Sequence, residues 1–265
     1  MNFSGIKSSS VFGKLLRWPL RLVPSAATVR IIQGPLRGKK WIAGSSNHGC
    51  WLGSYEYEKQ MAFCREVKKG SVVYDLGANV GFYSLLASVL AGNDGAVFSF
   101  EPSPRNLYYL TKHIELNRIS NCRIFDMAVF SSDGVAQFYL NPNHAEGRLA
   151  EGGQNHTVPV KTVRLDTLVF SRGMAPPNLV KCDIEGGEYE ALKGAEATLR
   201  QFAPVIFLAT HGTDVHRRCC DLLAALGYDL FPLDNASLAE STEIIARRPV
   251  SFPGSAQPLQ SMEEA

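Results

Sequence analysis

The run Ser71-Val72-Val73-Tyr74-Asp75-Leu76-Gly77-Ala78-Asn79-Val80-Gly81 constrains this chain more than any other stretch. A short apolar β-run closes on an acid, and a glycine turn leads into a helical pattern. A second apolar run, Ala96-Val97-Phe98-Ser99-Phe100, ends in Glu101-Pro102. A strand, a glycine turn, a helix and an acid-tipped second strand describe half of a nucleoside-binding α/β sheet. The alternation continues, with strands expected at 71–76, 96–101, 121–127, 178–184 and 204–209 and helices at about 80–91, 104–117, 187–200 and 214–226. Near-continuous apolar strands joined through helices imply a parallel sheet covered on both faces.

The 265 residues suffice for one such domain plus an extension. Residues 1–49 read as a basic N-terminal extension, 50–247 as the α/β domain and 248–265 as a loose tail. Val29 to Gln33 and Lys39 to Ala43 suggest a β-hairpin, and Ser54 is placed to cap a helix running to Val67. Between the third and fourth strands, 135–140 and 157–165 read as an antiparallel pair around a polar loop, 141–156, of lid-like composition. Phe231 to Arg247 supplies closing strands.

The net charge of +2 conceals an asymmetry: eight cations, from Lys7 to Lys40, precede the first acid, Glu56. That front is read by default as a solvated tail. A weak membrane-surface contact through Phe12, Leu15, Trp18 and Leu22, or an anion-binding flap, are the alternatives. No aromatic-basic platform for nucleic acid is present. Six cysteines without metal spacing, and no apolar run of membrane length, point to a cytoplasmic protein.

The expected cofactor-binding residues are Asp75, Gly77, Asn79, Gly81, Glu101, Asp126 and Ala128. A nicotinamide or flavin dinucleotide prefers G-x-G-x-x-G, whereas these glycines stand four apart around Asn79. A diphosphate about 4 Å from Asp75 would meet repulsion of about 4 kcal/mol at an effective dielectric of about 20, with no countercharge nearby in sequence. S-adenosylmethionine carries a sulfonium and an ammonium that such an acid favours. Its carboxylate would use N–H groups at the helix start near Val80. Glu101 would accept from the ribose hydroxyls, and Asp126 with the Met127-Ala128 backbone would meet the adenine. Plainer roles stand beside these: a cap and tight turn for Asp75-Leu76-Gly77, and a turn acid for Asp126.

These motifs, followed by Arg164-Leu165-Asp166-Thr167-Leu168 and Val180-Lys181-Cys182-Asp183-Ile184-Glu185-Gly186-Gly187-Glu188, resemble the FkbM family of S-adenosylmethionine-dependent methyltransferases over about residues 50–232. The resemblance implies a class I methyltransferase fold: a mostly parallel, Rossmann-like seven-stranded sheet with helices on both faces. It also implies O-methylation of a saccharide or secondary metabolite. One departure is Ala209, where family members often carry an acid two residues before the histidine, here His211. That departure keeps open a second reading, a non-catalytic cofactor-binding domain that acts by binding a partner.

A hydroxyl acceptor benefits from a base at the carboxyl ends of the strands. The candidates are Asp183, Glu185, Glu188 and His211, with His144 and His156 in the long loop as weaker contacts. Asp183 and Glu185, two apart on an extended segment, would point the same way. Such a pair can share a proton or hold a divalent metal. Helix capping by Glu185 and a structural His211 are the plain alternatives.

Overall fold

The computed structural model describes residues 22–140, 147–149, 157–234 and 236–249; the first 21 residues, His144, His156 and the tail beyond 249 lie outside the described residues. Short strands β1 (Thr28–Arg30) and β2 (Lys40–Ile42) pair antiparallel as the hairpin expected, and α1 (His48–Leu52) and α2 (Tyr57–Glu66) follow. Ser54 does not start α2. Glu56, in the left-handed region at φ 44°, holds the cap position instead.

Next come β3 (Val72–Leu76), α3 (Phe82–Ala91), β4 (Ala96–Phe100), α4 (Pro104–Leu116) and β5 (Cys122–Phe125). A side excursion builds β6 (Ala128–Val129), β7 (Gly134–Leu140), β8 (Gly147–Leu149) and β9 (Thr157–Val163) into a small sheet of order β6-β9-β7-β8. The chain returns through a π-helical turn, Thr167–Ser171, to β10 (Leu179–Cys182), α5 (Glu188–Lys193), α6 (Glu196–Phe202), β11 (Val205–Ala209), α7 (Thr213–Ala225), β12 (Asp229–Pro232) and β13 (Glu243–Arg247).

The central sheet has seven strands in the order β12-β13-β11-β10-β3-β4-β5. Only β13 runs against its neighbours. This is the class I methyltransferase sheet that the resemblance implied. From β3 the order departs both ways, to β4 and to β10, so a crevice opens at their carboxyl ends.

Alternation along the buried strands separates two cores. Tyr74, Leu76, Val180, Cys182, Ile206 and Leu208 face α5, α6 and α7. Val73, Val97, Leu179 and Phe207 face the other side, where Trp41, Phe63 and Leu85 pack with them. The N-terminal hairpin therefore shares the sheet's own core, and no break in packing marks residue 50.

The single helix expected over 187–200 is two helices. The first ends at Gly194, where only glycine fits: the Phe130 carbonyl oxygen would stand 2.1 Å from an added Cβ. The Arg-Leu-Asp-Thr-Leu motif explains how α6 restarts. Asp166 accepts from the N–H of Thr198 at 2.8 Å, its hydroxyl at 2.7 Å and the N–H of Ala197 at 3.2 Å. A buried carboxylate from another segment thus caps the helix in place of its own side chains.

His113 ties the hairpin to the glycine turn. It stacks on Trp41 with ring centroids 3.7 Å apart, accepts from the N–H of Ile42 at 3.1 Å and donates to the Val80 carbonyl at 2.7 Å. That bonding requires a neutral ring, and burial lowers its pKa from 6.5 to about 4.

Two outcomes follow from these contacts. Asp166→Ala should lower unfolding free energy by about 2 kcal/mol in chemical denaturation. Because the unfolded His113 binds a proton more readily, its stabilisation is complete above pH 6.5 and is lost as pH falls toward 4. The stability gap between the wild-type protein and His113→Gln should therefore narrow by about 3 kcal/mol between about pH 7 and 4, read by urea titration at each pH.

Candidate active site

The turn after β3 is built on close approaches that exclude side chains. Gly77 sits at φ 74°, and an added Cβ would lie 2.0 Å from the carbonyl oxygen of Asp183. Gly81, at φ 92°, would place one 2.5 Å from Leu110. Asn79 between them adopts φ 50°, a conformation that asparagine tolerates better than most residues.

The N–H groups of this turn are already engaged. Gly77 and Ala78 donate to the Phe100 carbonyl, Asn79 donates to Glu101 at 2.8 Å, and Val80 donates to the Asn79 side chain at 2.7 Å. The Val80 N–H expected to receive a cofactor carboxylate is thus taken. Glu101 lies at the tip of β4, 4% exposed, and also accepts from Ser103 N–H at 2.8 Å. Burial raises its carboxyl to about 7, against the pull of Ser103, Asn79 and Asn106.

A cavity of about 230 Å³ lies over this turn. Gly77, Asn79, Glu101, Ala128, Asp183 and Glu185 line it. Val129 and Phe138 add an apolar wall, and among the described residues Lys181 is the one lysine or arginine in the lining. A buried acid, an apolar wall and a glycine turn fit an adenosine. Asp126 is exposed at the end of β5 and does not line the cavity. The strand stops at Phe125, so Asp126 falls in a bend while Ala128 and Val129 turn inward as β6.

Asp75 requires a larger correction. It is 1% exposed and absent from the cavity lining. Its Oδ2 accepts from Ser84 at 2.6 Å, and its Oδ1 lies 3.4 Å from Lys181 Nζ. Lys181 is its register partner on β10, distant in sequence and adjacent in space. Asp75 therefore has the countercharge that local sequence lacked, and repulsion from Asp75 does not select the ligand.

Lys181 also donates to the Gly77 carbonyl at 2.9 Å and lies 3.6 Å from Asp183. Burial works against its charge, but Asp183 and Asp75 raise its pKa. Lys59, from α2, performs a parallel task. It is 5% exposed and reaches Glu243 at 2.7 Å, Glu56 at 3.3 Å and Asp183 at 3.8 Å. Burial would raise the Asp183 pKa, but Lys181, Lys59 and His211 together lower it.

Beside the first cavity lies a second, lined by Tyr55, Glu56, Asp183, Glu185, Ala209, His211 and Glu243, among others. Glu185 is not on an extended segment. Its φ of 56° turns the chain, and the turn brings it to Asp183 and His211. His211 Nδ1 lies 2.9 Å from Glu188, and its Nε2 lies 3.3 Å from Glu185 and 3.9 Å from Asp183. The Glu188 hydrogen bond, opposed by burial and aided by Glu185, raises His211 to about 9. The imidazole thus carries its proton near neutral pH. Asp183, Glu185 and His211 each offer one ligand atom within 4.8 Å of the others, a donor set that fits a divalent cation once the imidazole has released its Nε2 proton.

Sequence reasoning missed Tyr55, Lys59 and Glu243. A carboxylate does stand opposite Ala209: Glu243 is its register partner on β13 and lines the same cavity. Only that pairing, invisible to spacing along one strand, could have revealed it.

The family model described as methyltransferase FkbM domain matches residues 75–230. Hexuronic acid methyltransferase AglP of Haloferax volcanii is 32% identical, over 56% of this chain and 60% of that protein. The 31-O-demethyl-FK506 methyltransferase FkbM of Streptomyces tacrolimicus is 26% identical, over 49% of this chain and 62% of that protein. The chain thus spans about three fifths of the length of these curated relatives. A crystal structure of methyltransferase FkbM from Methylobacillus flagellatus KT aligns with TM-score 0.47 and 18% identity, over 66% of this chain and 43% of that one.

Lys181→Met would leave Asp75 and Asp183 facing each other without their shared cation. It should cost about 3–5 kcal/mol of stability in denaturant titration, and adding Asp75→Asn should restore part of that loss.

Proposed function

The chain belongs to the FkbM methyltransferase family, and from that premise we propose that it methylates a hydroxyl group on a saccharide or other small metabolite, using S-adenosylmethionine. The observation that carries this reading is the junction of the two cavities. The one with an adenosine-fitting wall shares Asp183 and Glu185 with the one lined by Ala209, His211 and Glu243. The names of the relatives support the acceptor class, since one refers to a hexuronic acid and the other to a 31-O-demethylated metabolite.

S-adenosylmethionine, when bound, supplies an electrophilic methyl group on a positively charged sulfur. Glu101 would accept from the ribose hydroxyls, while Ala128, Val129 and Phe138 would enclose the base. Asp183 and Glu185 would provide negative charge beside the sulfonium. In the second cavity Asp183 would take the proton that the acceptor oxygen loses on becoming an ether. A depressed pKa suffices, because the attacked oxygen becomes strongly acidic as it acquires the methyl group. His211, protonated and held by Glu188, positions the two acids rather than serving as the base. Asp183, Glu185 and His211, the last after loss of its Nε2 proton, are also the side chains that would hold a divalent cation, which would polarise the acceptor hydroxyl.

Calorimetry with S-adenosylhomocysteine and with NAD tests the premise. The first should bind and the second should not, and Glu101→Ala should weaken the first at least about tenfold. Asp183→Asn should retain that binding yet lower methylation of a saccharide panel by about 10²-fold or more. Tight binding of NAD, or full activity in Asp183→Asn, would refute the assignment. Activity that survives a chelator would leave proton removal to the carboxylates alone.

A further inference from the structure

We propose that Tyr55 is the wall against which the transferable methyl group rests, so that its ring distinguishes the charged donor from the uncharged product. The inference rests on the methyl-donor reading above and adds a residue outside the family-matched segment 75–230. Between the lining of the cofactor cavity and that of the acceptor cavity, three residues are common: Tyr55, Asp183 and Glu185. A methyl group passing from one cavity to the other must cross where they meet. Two of the three residues there are carboxylates, and the third is an aromatic ring.

That ring is held in place. Its centroid lies 5.2 Å from Phe82 and 6.5 Å from Tyr83, both in the first turn of α3. Phe82 meets it edge-on, with an interplanar angle of 71°. Tyr55 N–H donates to the Gly49 carbonyl at 3.1 Å, and the Gln60 side chain donates to the Tyr55 carbonyl. Backbone and ring are thus fixed between α1, α2 and the start of α3. Burial first, and then Glu56, hold the phenol well above its usual range, so it remains a hydroxyl that does not compete as a base.

A fixed aromatic face beside a sulfonium is attractive to it, through the ring quadrupole. The attraction disappears once the methyl has left, because the product sulfur is neutral. The ring therefore favours donor over product, which helps spent cofactor to leave.

Calorimetry of S-adenosylmethionine and S-adenosylhomocysteine on wild-type protein, Tyr55→Phe and Tyr55→Leu provides the test, with no need to know the acceptor. Tyr55→Leu should lose roughly fivefold more affinity for the donor than for the product, and Tyr55→Phe should preserve the wild-type ratio. A merely structural role would weaken both ligands by the same factor, and that result overturns the proposal. If Tyr55→Leu does not fold, the wild-type protein with methyl-labelled donor decides. A nuclear Overhauser contact between the labelled methyl and the ring of Tyr55, assigned through Tyr55→Phe, is expected, and its absence overturns the proposal. Failure of the wild-type protein to bind either ligand overturns the methyl-donor reading together with this one.

Discussion

The ammonium of Lys181 sits where the central sheet changes direction, and the site is arranged around it. It joins Asp75 on β3, Asp183 beyond β10 and the carbonyl of Gly77 in the turn between them. Removing these charges from water is expensive, and such a cluster is not by itself a source of stability. What it provides is position. Gly77 approaches Asp183 so closely that no side chain could intervene, and Lys181 neutralises the two acids that this approach brings together. The glycine turn that lines one cavity and the acid shared by both are therefore one mechanical unit.

A second buried cation extends the unit outward. Lys59 reaches the same Asp183 from α2, and it also gathers Glu56 and Glu243. Both ammonium groups lie near the ring of Tyr83, at 5.6 and 5.7 Å from its centroid. Tyr83 in turn donates to Glu56 at 2.9 Å. The elements before β3 thus supply part of the cavity wall as well as part of the core, which is why the hairpin and α2 cannot be regarded as an appendage.

Much of this fold was legible because its signals are short-range. Strand runs, glycine spacing and the acid tip at Glu101 each occupy a few adjacent residues, and the sheet follows from them. The antiparallel excursion, β7 with β9, was legible for the same reason. What escaped was decided by partners far apart in sequence. Nothing near Asp75 announces Lys181, nothing near Ala209 announces Glu243, and Lys59 looks like any helical lysine. The break between α5 and α6 escaped too, since a glycine required by Phe130 reads in sequence as a tolerated flaw. Asp166 illustrates the reverse error of emphasis. It belongs to a conspicuous motif, and its carboxylate caps a helix rather than touching either cavity.

The pairing of Ala209 with Glu243 shows how a sheet edge delivers a charge into a cavity. Antiparallel pairing places Ala209 and Glu243 side by side, so a carboxylate can enter one cavity from either strand. Glu243 reaches Lys59 at 2.7 Å, so in this cavity the carboxylate comes from β13 and not from position 209 on β11. Ala209 and Glu243 line the cavity together with His211, while Gly77 and Lys181 border the other cavity.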